Sequence, residues 1–82
     1  RTTGSEAAFT EDWKSELQEV LQSQGRGLPE YVLAGEEGPA HRRVFAIEVR
    51  VRGDLIGRGE GRSKKVAEQQ AAEAALRALR NQ

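Results

Sequence analysis

Two adjacent lysines stand where they oppose the local electric field of a predicted helix. Ser63 is a favourable N-cap residue, and an alanine-rich helix is predicted from Lys64 to about Arg80. Lys64 and Lys65 then lie in the first turn, where the helix dipole disfavours a cation by about 0.3–1 kcal/mol. The free N–H groups of a helix N-terminus bind anions, and lysines beside them strengthen such a site. The pattern therefore predicts an anion-binding site, with phosphate as its natural ligand.

Three glycines at alternate positions, Gly57, Gly59 and Gly61, precede this helix. Because glycine allows a backbone to come close to a ligand, we interpret them as part of the anion site. A mononucleotide P-loop would require the order Gly-Lys-Ser or Gly-Lys-Thr. Residues 61–65 read Gly-Arg-Ser-Lys-Lys instead, so the sequence does not predict a P-loop.

The charges are unevenly distributed along the chain although the net charge is zero. Residues 1–40 carry three basic and eight acidic side chains, whereas residues 41–65 carry eight basic and three acidic ones. The zero sum argues against a protein that coats nucleic acid through its overall charge. The basic block predicts a local positive patch.

The composition restricts the chemistry further. The 82 residues include no Cys and one His, which removes disulfides, thiolate metal sites, thiol nucleophiles and two-histidine sites. We therefore predict no catalytic residue, no metal ligand, no cofactor and no small-molecule substrate for this chain. No apolar run approaches the roughly 20 residues of a membrane span, so no membrane partner is expected. Without Cys or a signal-peptide pattern, a cytoplasmic location is expected.

An amphipathic helix is predicted near the start of the chain. Thr10 is its expected N-cap, with acidic residues in the first turn, and the helix is expected to end near Gly25. Residues 1–10 are predicted to be a linker or tail, and the folded domain is predicted to span residues 11–80. The apolar stripe of the helix has helical spacing and consists of Trp13, Leu17, Val20 and Leu21.

Three strands are predicted between the two helices. The first is short, at residues 31–33, and the second alternates apolar and polar residues over 45–51. Gly53 and Asp54 are predicted to form a hairpin turn, and the third strand begins at Leu55. The expected fold is α+β, in the order α-β-β-β-α. Its three-stranded antiparallel sheet needs cover on the apolar face, so both helices are expected to pack side by side there.

The order of these elements and the sequence motifs along them resemble the double-stranded-RNA-binding domain family, and within it the C-terminal module of bacterial ribonuclease III. The resemblance covers about residues 11–80, nearly the whole predicted domain. It rests on segments in family order and spacing: Trp-Lys-Ser-Glu-Leu-Gln-Glu at 13–19, Pro-Glu-Tyr at 29–31, Gly-Pro-Ala-His at 38–41, Phe45, Ile47, Glu48 and Val49, the three glycines, Ser-Lys-Lys-Val-Ala at 63–67, and Ala-Ala at 71–72.

The resemblance implies sequence-independent, shape-based binding of double-stranded RNA. The first helix and the loop before the second strand would enter successive minor grooves, and the start of the second helix would meet phosphates across the major groove. A metal-dependent nuclease domain is expected elsewhere in the parent protein, and this chain alone is not expected to be an enzyme. The implied RNA contacts are Ser15, Gln18, Glu19 and Gln22 on the first helix, Pro39, Ala40 and His41 in the loop, and Arg62, Ser63, Lys64 and Lys65 at the second helix.

The implied contacts on the first helix can be checked against helical geometry. At about 100° per residue, all four fall on the side opposite the apolar stripe, so they are predicted to be exposed. Glu68 departs from the family pattern, in which a third lysine often follows on the second helix. A protein-interaction module of the same fold, with weak or no RNA binding, is therefore the alternative. Lys64 and Lys65 favour RNA, because such a module has no use for cations that oppose its own helix dipole.

Overall fold

Five main elements follow one another in the predicted order α-β-β-β-α. The structure is a computed structural model, and it describes residues 12–81. The predicted tail at residues 1–10, which includes the predicted N-cap Thr10, lies outside this range. The elements are α1 (Trp13–Ser23), β1 (Glu30–Glu37), β2 (Val44–Val51), β3 (Asp54–Gly61) and α2 (Lys64–Arg80), with a short 3-10 turn (Ala40–Arg42) between β1 and β2.

The three strands form one antiparallel sheet in the order β1-β2-β3. Its register places Tyr31 of β1 and Gly57 of β3 on either side of Val49. β1 is longer than predicted because pairing resumes beyond an irregularity between Leu33 and Gly35. The prediction that this strand covers only residues 31–33 is wrong, since it continues through Gly35 to the acidic residues Glu36 and Glu37. Backbone pairing needs no apolar side chain, and charged residues suit an edge strand.

The hairpin between β2 and β3 turns one residue earlier than predicted. Arg52 and Gly53 are its two central residues, and both have positive φ, 54° and 88°. Positive φ at both positions is typical of a two-residue type I′ turn, whose twist matches that of the flanking strands. Asp54 therefore begins β3 opposite Val51 instead of lying in the turn.

The core lies between the sheet and the two helices, as predicted from the apolar stripes. Leu17 and Leu21 of α1 are fully buried, as is Val49 of β2. The helices pack over one face of the sheet, and the α+β architecture is confirmed. Neither described helix combines the length and apolarity that a membrane span requires. The buried stripe of α2 consists of Ala67, Ala71, Ala72, Ala75, Leu76 and Leu79.

The alternating glycines of β3 face α2 and do not form part of an anion site, so our interpretation of them is wrong. A Cβ at Gly57 would lie 2.7 Å from the carbonyl oxygen of Ala71, and one at Gly61 would lie 2.8 Å from the Ala67 nitrogen. Real Cβ atoms do not approach backbone this closely, so only glycine allows the helix to sit so near the strand. These residues set the position of α2, and thereby the position of its N-terminus.

Candidate nucleic-acid interface

The start of α2 carries the cations and the cap that the sequence predicts. Ser63 has extended backbone angles, and its Oγ accepts a hydrogen bond from the Val66 N–H at 3.1 Å. This bond satisfies one of the free N–H groups of the first turn. Lys64 and Lys65 follow directly, both exposed, and the first turn contains no acidic residue.

Ion pairing separates these cations from most others in the described part of the chain. Arg62, Lys64 and Lys65 have no ion pair within residues 12–81, a property they share with Arg42 and Arg52. Because no carboxylate of the described residues pairs with Arg62, Lys64 or Lys65, their field adds to that of the helix N-terminus. Six other cations each lie within 4 Å of a carboxylate: Lys14, Arg43, Arg50, Arg58, Arg77 and Arg80.

The first helix begins with Asp12 as its N-cap, not with Thr10. Asp12 Oδ1 accepts from the Ser15 N–H at 3.3 Å, and Asp12 Oδ2 accepts from the Ser15 hydroxyl at 2.7 Å. The Ser15 hydroxyl, followed by the Gln69 side chain, lowers the pKa of Asp12 below its usual value. Ser15 thus helps to fix the start of the helix while its side chain stays exposed.

The polar face of α1 is open to solvent as predicted. The four implied contact residues are all exposed, whereas Leu17 and Leu21 on the other side are fully buried. An exposed row of amide, hydroxyl and carboxylate groups can donate to and accept from ribose hydroxyls. These residues are Ser15, Gln18, Glu19 and Gln22.

The loop between β1 and β2 is held by local contacts that leave its tip exposed. Gly38 has a φ of 96°, and a Cβ there would lie 2.7 Å from the Arg42 carbonyl oxygen. The Arg42 N–H donates to the Pro39 carbonyl at 2.8 Å and closes the 3-10 turn. An ion pair of 3.1 Å between Arg43 and Glu36 spans the base of the loop. Pro39, Ala40 and His41 are therefore presented on an ordered tip.

Residues 13–79 match the family model of the double-stranded RNA binding motif. The chain belongs to this family. It is 57% identical to Ribonuclease 3 of Enterococcus faecalis over 68 aligned residues, and this alignment covers 83% of this chain and 30% of that protein. It is 55% identical over 69 residues to Ribonuclease 3 of Thermobifida fusca, which covers 84% of this chain and 28% of that protein. The domain thus spans less than a third of the length of these curated relatives, and the resemblance to ribonuclease III is confirmed.

Solved structures agree with this membership. The structure of Arabidopsis HYL1, reported with its implications for miRNA processing, superposes with a TM-score of 0.69 at 38% identity and covers 83% of this chain and 96% of that one. Dicer from Pichia stipitis superposes with a TM-score of 0.65 at 34% identity and covers 79% of this chain and 31% of that one. Both likenesses support the fold of this double-stranded RNA binding motif domain.

Two cavities of the domain bring together residues from different implied contact regions. One of about 450 Å³ lies between the helices and is lined by Ser15 and Gln18 of α1 together with Lys65 of α2. The other, of about 290 Å³, brings the loop residues Ala40 and His41 together with Arg62, and it is also lined by Arg43 and Phe45. The remaining five implied residues are exposed but line neither cavity: Glu19, Gln22, Pro39, Ser63 and Lys64.

The sequence patterns do not predict the residues that orient α1 against α2. The Trp13 N–H donates to Gln69 Oε1 at 2.8 Å, and Gln69 Nε2 donates to Asp12 Oδ1 at 3.2 Å. Lys14 Nζ lies 2.7 Å from Glu68 Oε1, and its charge sits 5.0 Å from the centre of the Tyr31 ring. The pairs that join α1 to α2 lie more than 50 residues apart in the chain, and only the tertiary structure brings them together.

A further ion pair of 2.6 Å joins Arg80, in the last turn of α2, to Glu16, in the first turn of α1. Together with the contacts of Gln69 and Glu68, it ties the N-terminal part of α1 to two different places along α2. The exposed face of α1 is thereby fixed relative to the lysines of α2. Within residues 12–81, no group of three His, Cys, Asp or Glu side chains is arranged to hold a metal ion.

Proposed function

We propose that this domain binds double-stranded RNA by its shape and phosphates, without reading its sequence, through the eleven residues named for the three regions. One observation carries the proposal. Arg62, Lys64 and Lys65 are exposed and lack an ion pair within residues 12–81, and they cluster at a capped helix N-terminus. Unpaired cations at the positive end of a helix are suited to phosphate.

The polar face of α1 supplies groups that match the minor groove of an A-form duplex. The groove is wide and shallow and displays 2′-hydroxyls. The Ser15 hydroxyl already donates to Asp12, so its oxygen is free to accept from a ribose hydroxyl. Gln18 can both donate and accept, and the Glu19 carboxylate can accept from a 2′-hydroxyl or a guanine amino group. Gln22 continues this row one turn further along the helix.

The loop and α2 complete a three-part contact along one duplex. Pro39, Ala40 and His41 would enter the next minor groove. Arg62, Lys64 and Lys65 would hold phosphates of the major groove that lies between, beside the Ser63 cap. A contact of this type spans about 16 bp and is largely independent of sequence. Phosphate and ribose contacts fix register and orientation but carry no base code.

We infer that the parent protein is a metal-dependent ribonuclease III that acts in the cytoplasm, with this domain, residues 11–80, as its substrate-binding module. The relatives named Ribonuclease 3 support this placement. Cleavage of a phosphodiester by two metal ions requires several convergent carboxylates, which we assign to a nuclease domain outside this chain.

A titration with three duplexes of identical sequence tests the proposal. Perfect double-stranded RNA, an RNA–DNA hybrid and double-stranded DNA of about 20 bp, which exceeds the span of the contact, are titrated at several salt concentrations. We expect the tightest binding to RNA and the weakest to DNA, because only RNA combines the A-form shape with 2′-hydroxyls on both strands. Equal affinity for RNA and DNA would refute the proposal. No binding to any duplex would favour the protein-interaction module.

A further inference from the structure

The cavity between the helices contains a second lysine that the three-part contact does not use. Lys14 lines this cavity together with Ser15, Gln18 and Lys65. Its side chain is 38% exposed, and its long flexible stem allows the ammonium group to move. Lys14 thus shares this cavity with two residues of the proposed RNA surface on α1, Ser15 and Gln18.

Lys14 is nevertheless held away from external anions. Its Nζ lies 2.7 Å from Glu68 Oε1, and the Glu68 side chain is only 28% exposed. The face of the Tyr31 ring lies 5.0 Å from the same ammonium group and adds a cation–π attraction. Asp12 is the carboxylate among the residues that line this cavity, and it is occupied by hydrogen bonds from Ser15 and Gln69. Glu68 is therefore the specific counter-ion of Lys14.

We propose that Glu68 withholds Lys14 from the RNA phosphates and thereby sets the affinity and the salt dependence of this domain. The proposal rests on the proposed function and names a residue that tunes it. A lysine that neutralises a phosphate releases about one counterion and steepens the dependence of log K on log salt by about 1. A lysine already neutralised by a carboxylate releases none. The Glu68 charge also repels the backbone of an approaching duplex.

The variant Glu68→Gln tests this directly, since glutamine keeps the shape and a hydrogen-bond acceptor but removes the charge. We expect tighter binding of a perfect RNA duplex at low salt and a slope steeper by about 1. Glu73→Gln is the matched control. Glu73 lies on the same helix, is 25% exposed and pairs with Arg77 at 2.9 Å, so this change adds the same charge without freeing Lys14. We expect the control to retain the original slope.

The double variant Lys14→Ala with Glu68→Gln isolates the role of Lys14. We expect it to lose the added steepness, since the freed cation is gone. The charge swap Lys14→Glu with Glu68→Lys re-forms the pair and should restore the original slope. If a thermal melt shows that Glu68→Gln does not fold, Glu68→Ala takes its place, since it also removes the charge and should give the same steeper slope.

The inference fails if Glu68→Gln binds with the original slope, if the double variant keeps the steeper one, or if the charge swap is steeper than the unaltered domain. These outcomes are distinct from failure of the proposed function. If the proposed function fails, the unaltered domain itself will bind RNA no better than DNA, or with no dependence on salt.

Discussion

Gly59 of β3 faces Ala71 of α2 so closely that a Cβ on Gly59 would overlap the Ala71 amide nitrogen. Ala71 is fully buried, and its small side chain lets the helix lie against the strand. β3 ends at Gly61, and the helix it supports is capped by Ser63 only two residues later. The phosphate-facing end of α2 is therefore placed by a contact between two of the smallest residues in the core.

Gly59→Ala should destabilise the domain because the added methyl group meets backbone atoms that cannot move aside. Overpacking of this type costs about 1–3 kcal/mol and sometimes more. Urea unfolding measures the change. Gly35→Ala is the control, since a Cβ at Gly35 meets nothing within 4 Å and should cost less than about 1 kcal/mol. Equal stability of the two variants would contradict this account of β3.

The architecture was predictable because local patterns and packing agree along most of the chain. The stripe of Leu17 and Leu21, the alternation around Val49 and the cap at Ser63 all point to the same fold, and the structure confirms each. The glycines of β3 were misinterpreted for a physical reason. Close approach to a ligand and close approach to a helix require the same residue, and only the tertiary structure distinguishes them.

Errors concentrated at element ends, where neighbouring residues offer similar chemistry. Thr10 and Asp12 are both acceptable caps, and the bidentate contact of Asp12 with Ser15 decides between them. Exposure of the four proposed contact residues on α1 followed from helical periodicity. The pair of Lys14 and Glu68 could not be predicted, since it joins residues that only the packing of the two helices brings together.

Alkaline pH should destabilise the domain through Tyr31. Burial, followed by the charges of Glu68 and Asp12, raises the pKa of Tyr31 to about 12 from an ordinary value of 10.0. Because the pKa of Tyr31 is higher in the folded state than in the unfolded chain, the protonated side chain contributes to the free energy of unfolding. That contribution is complete below pH 10 and is lost as the pH rises toward 12. Urea unfolding between pH 8 and 11 should therefore show falling stability.

Tyr31→Phe provides the control for that series. The Tyr31 hydroxyl is buried and has no hydrogen-bond partner within residues 12–81. Its removal at neutral pH should change stability by less than about 1 kcal/mol, or raise it, because an unsatisfied buried hydroxyl carries a desolvation cost. The variant should lose stability less steeply above pH 10. The same alkaline slope in both proteins would rule out Tyr31 as the cause.

Duplex length should affect affinity in a stepwise manner. RNA clearly shorter than about 16 bp cannot reach both α1 and the loop at once, so it should bind more weakly than a longer duplex. The loop variant His41→Ala should weaken binding to long duplexes more than to short ones, which do not reach the loop. Affinities for duplexes of graded length provide the measurement. Affinity that is constant down to half that length would contradict a three-part contact.

The salt dependence of binding by Lys64→Ala and Lys65→Ala tests the central claim most directly. Each change should weaken binding to double-stranded RNA at low salt and flatten the slope of log K against log salt by about 1. Thermal stability should stay unchanged or rise slightly, because a cation leaves the positive end of α2. Arg77→Ala, which removes a paired cation from the last turn of the same helix, should keep the original slope. Lysine variants that unfold, or that bind RNA with an unaltered slope, would contradict the assignment of this helix end to phosphate.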